Sequence, residues 1–510
     1  MNRTLVVMVL SLAVLAGLLS VMMTSDSRPR LGGNAQSADA VPVMLFCAAS
    51  NRAVMEAIKT DYETETGLRL EIQYGPSQAL LSSIEVSHAG DLYLPADDSY
   101  LTMAREKGLV DEVIPLARQQ GVVAVRKGNP KSITSFDDLL RDGVRLVQAS
   151  PDQTAIGNVT RQVLQEQKLW ESLDLATTAY RTTVTEVAND VLVGAADVGI
   201  VYDAVLHTYP DLEFVELPEL QDASSDIAIG VISATSQPQR ALYYARYVSA
   251  KDRGLKRYAE FSFRVKEGDE WTDVPELAIF AGSMLRPAID STIGEFEERE
   301  GVQVTRVYNG CGILVAQMKA GQHPDAYFAC DTEFMQQVPD LFPEPVDVSQ
   351  NELVILVQKG NPHDIKLLQD LTTPGLRVGV GHEKQCAMGW LTQNTLKEGG
   401  VQEEVMANVT VQTPTGDMLV NQLRTGSLDA AVAYLSNAAG AGEYLDAIRI
   451  QGIECSVATQ PFAIAQQSRY RQLASRLFER ICSAESQQGF QAEGFRWQAG
   501  VKSPAAAGPE

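Results

Sequence analysis

The sequence predicts an α/β protein built as two tandem copies of one domain, behind a short hydrophobic amino-terminal segment. Three observations carry that prediction: the length, an internal match at a spacing of about 230 residues, and short β-branched runs alternating with helical stretches. A chain of 510 residues exceeds what one core holds, because single cores stop growing at ~250–300 residues. At least two domains are therefore expected.

The first element is an uncharged run from Leu5 to Met23 behind Arg3. A stretch of this length spans a bilayer. A secretory signal has a shorter apolar region and a nearby small-residue cleavage site, whereas Ala38-Asp39-Ala40 lies well downstream. Residues 1–40 thus read as a signal peptide or membrane anchor with a short linker, and both readings export the chain beyond residue 40. Membrane contact is expected only through residues 5–23. No cysteine closes the run, which argues against a lipoprotein.

The chain then repeats itself. Pro42 to Phe46 with Ala48-Ala49-Ser50 corresponds to Pro275 to Phe280 with Ala281-Gly282-Ser283. An acidic helix comes next in each copy and ends at glycine, Gly67 in one and Gly301 in the other. Tyr74-Gly75-Pro76-Ser77 matches Tyr308-Asn309-Gly310-Cys311, and Gly90-Asp91-Leu92-Tyr93 matches Pro324-Asp325-Ala326-Tyr327. Lys127-Gly128-Asn129-Pro130 recurs as Lys359-Gly360-Asn361-Pro362. Gln153-Thr154-Ala155-Ile156-Gly157 matches Gln385-Cys386-Ala387-Met388-Gly389, and Gly199-Ile200-Val201-Tyr202 matches Ala431-Val432-Ala433-Tyr434. This period is too long for a solenoid and marks duplication of a whole domain. The expected boundaries are 41–265 and 275–500, with a linker at 266–274 and a tail at 501–510.

Within each copy, runs such as Val122 to Val125 and Leu353 to Val357 alternate with helical stretches such as Asn158 to Gln167 and Tyr470 to Cys482. That alternation argues for mixed, mostly parallel sheets. Ligands then belong at loops beyond the carboxyl ends of strands, where helices begin.

Composition removes several function classes. Lys plus Arg total 42 against 65 Asp plus Glu, a formal charge of -23, so binding of nucleic acid through bulk electrostatics is excluded. The six cysteines form no CxxC pair and are too sparse for a disulfide scaffold. G-x-S-x-G, H-E-x-x-H and Walker-type runs are absent. These absences disfavour several large hydrolase classes without disproving an enzyme.

Taken in order, these residues resemble the molybdate-binding periplasmic proteins of ABC importers, in tandem. The pattern is a strand, Ala-Ala-Ser, a helix ending in Glu-Thr-Gly, a Gly/Ser loop, Lys-Gly-Asn-Pro and Gly-Ile-Val-Tyr, and it covers essentially all of each copy. The resemblance implies the type 2 periplasmic-binding fold, with two α/β lobes per domain closing on a tetrahedral oxyanion such as molybdate or tungstate. It implies a non-enzyme without a cofactor, an ABC permease as partner and an extracytoplasmic location. By the same resemblance the ligand contacts in copy one are Ser50, Ser77, Ile156, Val184 and Tyr202. In copy two the corresponding positions are Ser283, Cys311, Met388, Gly416 and Tyr434. The bulk of Ile156 and Met388 is expected to crowd the anion.

Such a ligand needs no lysine or arginine, since N–H and O–H groups converging at helix N-termini supply the positive field. Copy two departs further from the pattern. Cys311, Cys386 and His382 lie on cleft loops and together suit a soft or borderline metal. A Cys311–Cys386 or Cys455–Cys482 bridge and inert buried thiols are the alternatives. Besides capture of an oxyanion for import, two further functions fit the sequence: a membrane-tethered sensory or interaction protein with degenerate clamps, or a metal-binding second domain.

Overall fold

The computed structural model describes residues 41–499. The signal-or-anchor reading of residues 5–23 and the expected tail lie outside them. Among the described residues, no helix is long and apolar enough to cross a membrane.

Domain one holds ten strands: β1 (Val43–Ala48), β2 (Leu70–Gly75), β3 (Leu92–Leu94), β4 (Val110–Arg126), β5 (Leu146–Ala149), β6 (Thr177–Arg181), β7 (Val198–Tyr202), β8 (Leu212–Val215), β9 (Ser224–Ile232) and β10 (Arg264–Val265). The order β2-β1-β3-β9-β4-β7-β5-β6 is one path through two lobes. In the first lobe β1 runs parallel to β2 and β3, and in the second β5 runs parallel to β6 and β7. The long strand β4 belongs to both lobes. Its first part, Val110 to Gln120, pairs with β9, and its second part, Gly121 to Arg126, pairs with β7 and β8.

That division makes the crossover at Gln120–Gly121 the hinge. A Cβ at Gly121 would lie 2.9 Å from the Ala223 carbonyl of the returning crossover, so glycine lets the two connecting strands touch.

Domain two repeats this plan with β11 (Glu276–Gly282), β12 (Gln303–Asn309), β13 (Ala326–Phe328), β14 (Val346–Gln358), β15 (Val378–Gly381), β16 (Val409–Thr413), β17 (Ala430–Tyr434), β18 (Leu445–Arg449), β19 (Val457–Ile464) and β20 (Arg496–Trp497). Its order, β12-β11-β13-β19-β14-β17-β15-β16, is that of domain one. The fold class read from the sequence is the one observed.

Helices form where apolar residues recur at helical spacing. In Arg52–Thr66, Val54, Met55, Ile58 and Tyr62 are buried on one stripe. Gly67 stops that helix at φ 70°, donating its N–H to Glu63 O, and Gly301 stops its counterpart at φ 67°.

The two domains join through their first lobes. Arg246, on the helix Pro238–Ser249, and Arg476, on the helix Arg471–Ile481, both reach the carboxylate of Glu300. All three are buried, Glu300 at 1% exposure. Nearby, Asp269 accepts the backbone N–H of Gln472 and Leu473, both at 2.9 Å, capping the Arg471–Ile481 helix from the other domain's side.

Candidate ligand-binding clefts

In domain one, the amino ends of four helical segments converge on the gap between the lobes. The first lobe contributes the turn Ala49–Asn51, which leads into Arg52–Thr66, and the helix Ser77–Ser87; the second contributes Ala155–Glu166 and Val184–Leu192. The gap is a cavity of about 20 Å³ bounded by Ser50, Ser77, Ile156, Val184 and Tyr202, with Thr154 and Thr183 beside them. The structure therefore brings the five copy-one positions together. Neither lysine nor arginine lines the cavity.

Each helix leaves its first N–H groups without a backbone acceptor, and its amino end carries roughly half a positive charge. The caps take only some of these donors. Thr154 Oγ1 accepts the Gly157 N–H at 3.1 Å, and Thr183 Oγ1 accepts the Glu186 N–H at 3.3 Å. By helix geometry the Ile156 and Val184 amides remain for the cavity. The Ile156 side chain reaches the hinge, where its Cδ1 would stand 3.2 Å from a Cβ at Gly121.

Ser77 Oγ accepts the Ala96 N–H at 3.1 Å, which leaves its own proton free to donate. Tyr202 is 1% exposed, with its hydroxyl 2.7 Å from Ser225 Oγ. Burial first, and then the charge of Asp97, push its phenol well above the ordinary range, so it stays protonated. Ser225 was not legible as a partner, because it lies on β9, which returns from the far end of the domain. Thr154 and Thr183 could have been found, since each precedes a helix as a capping residue.

Domain two matches four of its five positions to those of domain one, with different chemistry. The fifth is corrected, because the turn Ser283–Leu285 aligns with Ala49–Asn51 and so sets Ser283 opposite Ala49 and Met284 opposite Ser50. Cys311 is not a free thiol: its Sγ is bonded to that of Cys330. This overturns both the Cys311–Cys386 bridge and Cys311 as a metal ligand, since a disulfide sulfur has no thiolate to offer. Cys455 and Cys482 are free, so that bridge is not formed either.

Cys386 replaces Thr154 as a helix cap. Its Sγ accepts the Gly389 N–H at 3.4 Å, and burial raises its thiol to about 11. His382 Nδ1 accepts the Lys384 N–H at 3.2 Å. No group of three or more His, Cys, Asp or Glu able to hold a metal occurs among the described residues. The metal reading of Cys311, Cys386 and His382 is corrected accordingly.

Tyr434 is 2% exposed, and its hydroxyl has no partner among the described residues. The cause is a substitution visible in the register. Gln119 pairs with Ser225 in domain one, and its counterpart Asn351 pairs with Ala458, which has no hydroxyl. Met388 is buried, as is Gly416, where a Cβ would lie 2.1 Å from Asn437 Oδ1; Ser283 is half-buried.

Asp331 caps the short helix Thr332–Met335 by accepting the Glu333 N–H at 3.0 Å, and burial lifts its carboxyl to about 6. A free aspartate titrates near ~3.9. The folded state therefore holds this proton more tightly, and the stabilisation is present below pH ~4 and lost as pH rises through 6. Asp331→Asn, which keeps an acceptor for the cap, is expected to remove about 2–3 kcal/mol of pH dependence. Urea midpoints of wild type and variant at pH 4 and pH 8 check this, and equal pH slopes would refute it.

Comparison with known proteins places these clefts in context. A family model described as bacterial extracellular solute-binding protein matches residues 43–255 and again residues 277–496. The molybdate-binding protein ModA of Mycobacterium tuberculosis is 27% identical over 211 residues, 41% of this chain and 79% of its own length. A putative binding protein of Haemophilus influenzae is 24% identical over 228 residues, 43% of this chain and 90% of its own. Among solved structures, the substrate binding domain of a putative molybdenum ABC transporter from Clostridium difficile is 23% identical, covering 45% of this chain and all of that one at a TM-score of 0.37.

Proposed function

The chain belongs to the family of bacterial extracellular solute-binding proteins, and from that premise we propose that domain one captures a compact oxyanion, of the molybdate or tungstate kind, for an ABC importer. The observation that carries this reading is the convergence of four helix amino ends on a cavity of about 20 Å³ with no cationic side chain in its lining. A volume this small is of the order that a single ordered water needs. In this closed arrangement the cleft suits a compact ion better than a sugar or a peptide.

Neutral donors also reconcile an anionic ligand with a net charge of -23. The protein's general field is screened beyond roughly 8 Å at physiological salt, whereas N–H and O–H donors act at contact. Closing the lobes about the β4 crossover brings the Ser50 and Ser77 hydroxyls together with the Ile156 and Val184 amides, so the ligand favours the closed state. An ABC permease is the partner that would receive the solute, outside the cytoplasm, and no bond in the solute is made or broken.

The test is a thermal-shift titration of the chain with sodium molybdate, tungstate and sulfate. Saturation at ~1,000-fold over Kd stabilises the folded state by about 4 kcal/mol, a rise in Tm of several degrees. A folded protein whose Tm responds to none of the three would sink the reading.

A further inference from the structure

We propose that domain two is a self-filled clamp: its own backbone takes the place of the anion, so the chain holds one oxyanion site, in domain one. This rests on the reading of domain one as an oxyanion clamp. The difference begins at Ser77 and its counterpart Cys311. Each accepts the N–H at the end of the third strand, Ala96 to Ser77 Oγ at 3.1 Å and Cys330 to Cys311 Sγ at 3.0 Å. Ser77 keeps a hydroxyl proton to donate. The Cys311 sulfur, bonded to that of Cys330, has none.

The disulfide also takes up space. A Cβ at Gly282 would lie 2.3 Å from Cys330 Sγ, and domain one has Ala48 at that place, the last residue of the matching strand. The methyl group that borders the cavity in domain one is thus replaced by sulfur in domain two.

The third observation crosses the cleft. Gly310 and Gly312 stand where domain one has Pro76 and Gln78. A Cβ at Gly310 would lie 2.4 Å from Gln385 O and 2.5 Å from Pro414 O, and one at Gly312 would lie 2.1 Å from Lys384 O. Side chains at these places would hold the lobes apart, and domain one has side chains at both. With glycine there, the second lobe's loops sit directly on the amino end of the helix Cys311–Lys319. The Ile313 N–H is shared between Gly310 O at 2.9 Å and Gln385 O, across the cleft, at 3.3 Å.

A carbonyl oxygen carries partial negative charge and satisfies helix-end donors as an anion does. Being part of the chain, it is always present. An incoming anion would have to displace Lys384, Gln385 and Pro414 from a helix end that has already lost one hydroxyl donor.

Calorimetric titration of the full chain with sodium molybdate, together with hydrogen exchange of the Ile313 amide, tests the proposal. The expected result is one anion per chain, an affinity lost at least 100-fold in the Ser50→Ala/Ser77→Ala chain, and an Ile313 amide that exchanges slowly with or without molybdate. A stoichiometry of two would overturn the proposal while supporting the reading of domain one. So would a single site that survives the double substitution. If wild type binds no oxyanion, the reading of domain one fails, and hydrogen exchange still decides the matter: a fast Ile313 amide means an open clamp and overturns the proposal, and a slow one supports it.

Discussion

Replacing Glu300 with glutamine is expected to destabilise the protein by about 3–5 kcal/mol and to uncouple the unfolding of its two domains. That is the range observed when one partner of a buried ion pair is removed and the remaining charge is left uncompensated. Two charges are left here. Arg476 meets Glu300 through Nε at 2.5 Å and Nη2 at 3.1 Å, while Arg246 reaches it from domain one through Nη1 at 3.1 Å. Arg246 and Arg476 are 7% and 6% exposed, so water does not take over the lost role.

Burial alone would push the Glu300 carboxyl up, but the guanidiniums of Arg476 and Arg246 outweigh it and hold the group below its usual range. For a depressed carboxylate the stabilisation is fully present above its unfolded value of ~4.3 and is lost as pH falls through the folded value. The gap between wild type and Glu300→Gln should therefore be widest near neutrality and narrow below pH ~4. Guanidinium unfolding followed by calorimetry is the measurement, with one transition for wild type and two for the variant. A loss under 1 kcal/mol at pH 7 would refute the argument. Replacing all three residues with apolar side chains of similar volume should restore most of the stability, because the net worth of a buried triad is small even though each member is indispensable to the others.

Much of this architecture was legible in the sequence, for a physical reason. Strand, turn and helix-cap signals are local, and the same order occurs twice, so Ala-Ala-Ser, the glycine after each acidic helix and the paired Gly-Asn-Pro turns could be read without contacts. What escaped depends on sheet register. Cys311 comes after β12 and Cys330 after β13, both of which flank β11, so residues 19 apart in the chain are neighbours in space. The sequence instead suggested Cys386, which lies on a loop of the same cleft but serves as a cap. The Glu300 triad was hidden for a different reason. Arg246 sits in a helix buried from Ala241 to Ser249, and the missing polar face of Tyr243-Tyr244-Ala245-Arg246-Tyr247 was the available signal of an interface.

The second large effect concerns the cleft of domain one. The Ser50→Ala/Ser77→Ala chain is expected to bind molybdate 10²–10⁴-fold more weakly than wild type. A hydrogen bond to a charged group contributes ~1.5–3 kcal/mol, or about 10–100-fold for each hydroxyl. Both hydroxyls are free to give that bond: Ser77 accepts from Ala96 and so directs its proton elsewhere, and Ser50 Oγ receives only a long contact of 3.4 Å from Asn51 Nδ2. Ser77→Ala carries a second consequence, since the buried Ala96 N–H loses its acceptor at about 1–3 kcal/mol in stability. Ser77→Cys separates the two effects. A sulfur at this place accepts the strand-end N–H, as Cys311 does from Cys330 at 3.0 Å, while a thiol donates poorly to an anion. Ser77→Cys should thus keep its melting temperature within about 2 °C of wild type and still lose about tenfold in affinity. An affinity within twofold of wild type in the double variant would refute the role of the two hydroxyls, and with it the assignment of the single site to domain one.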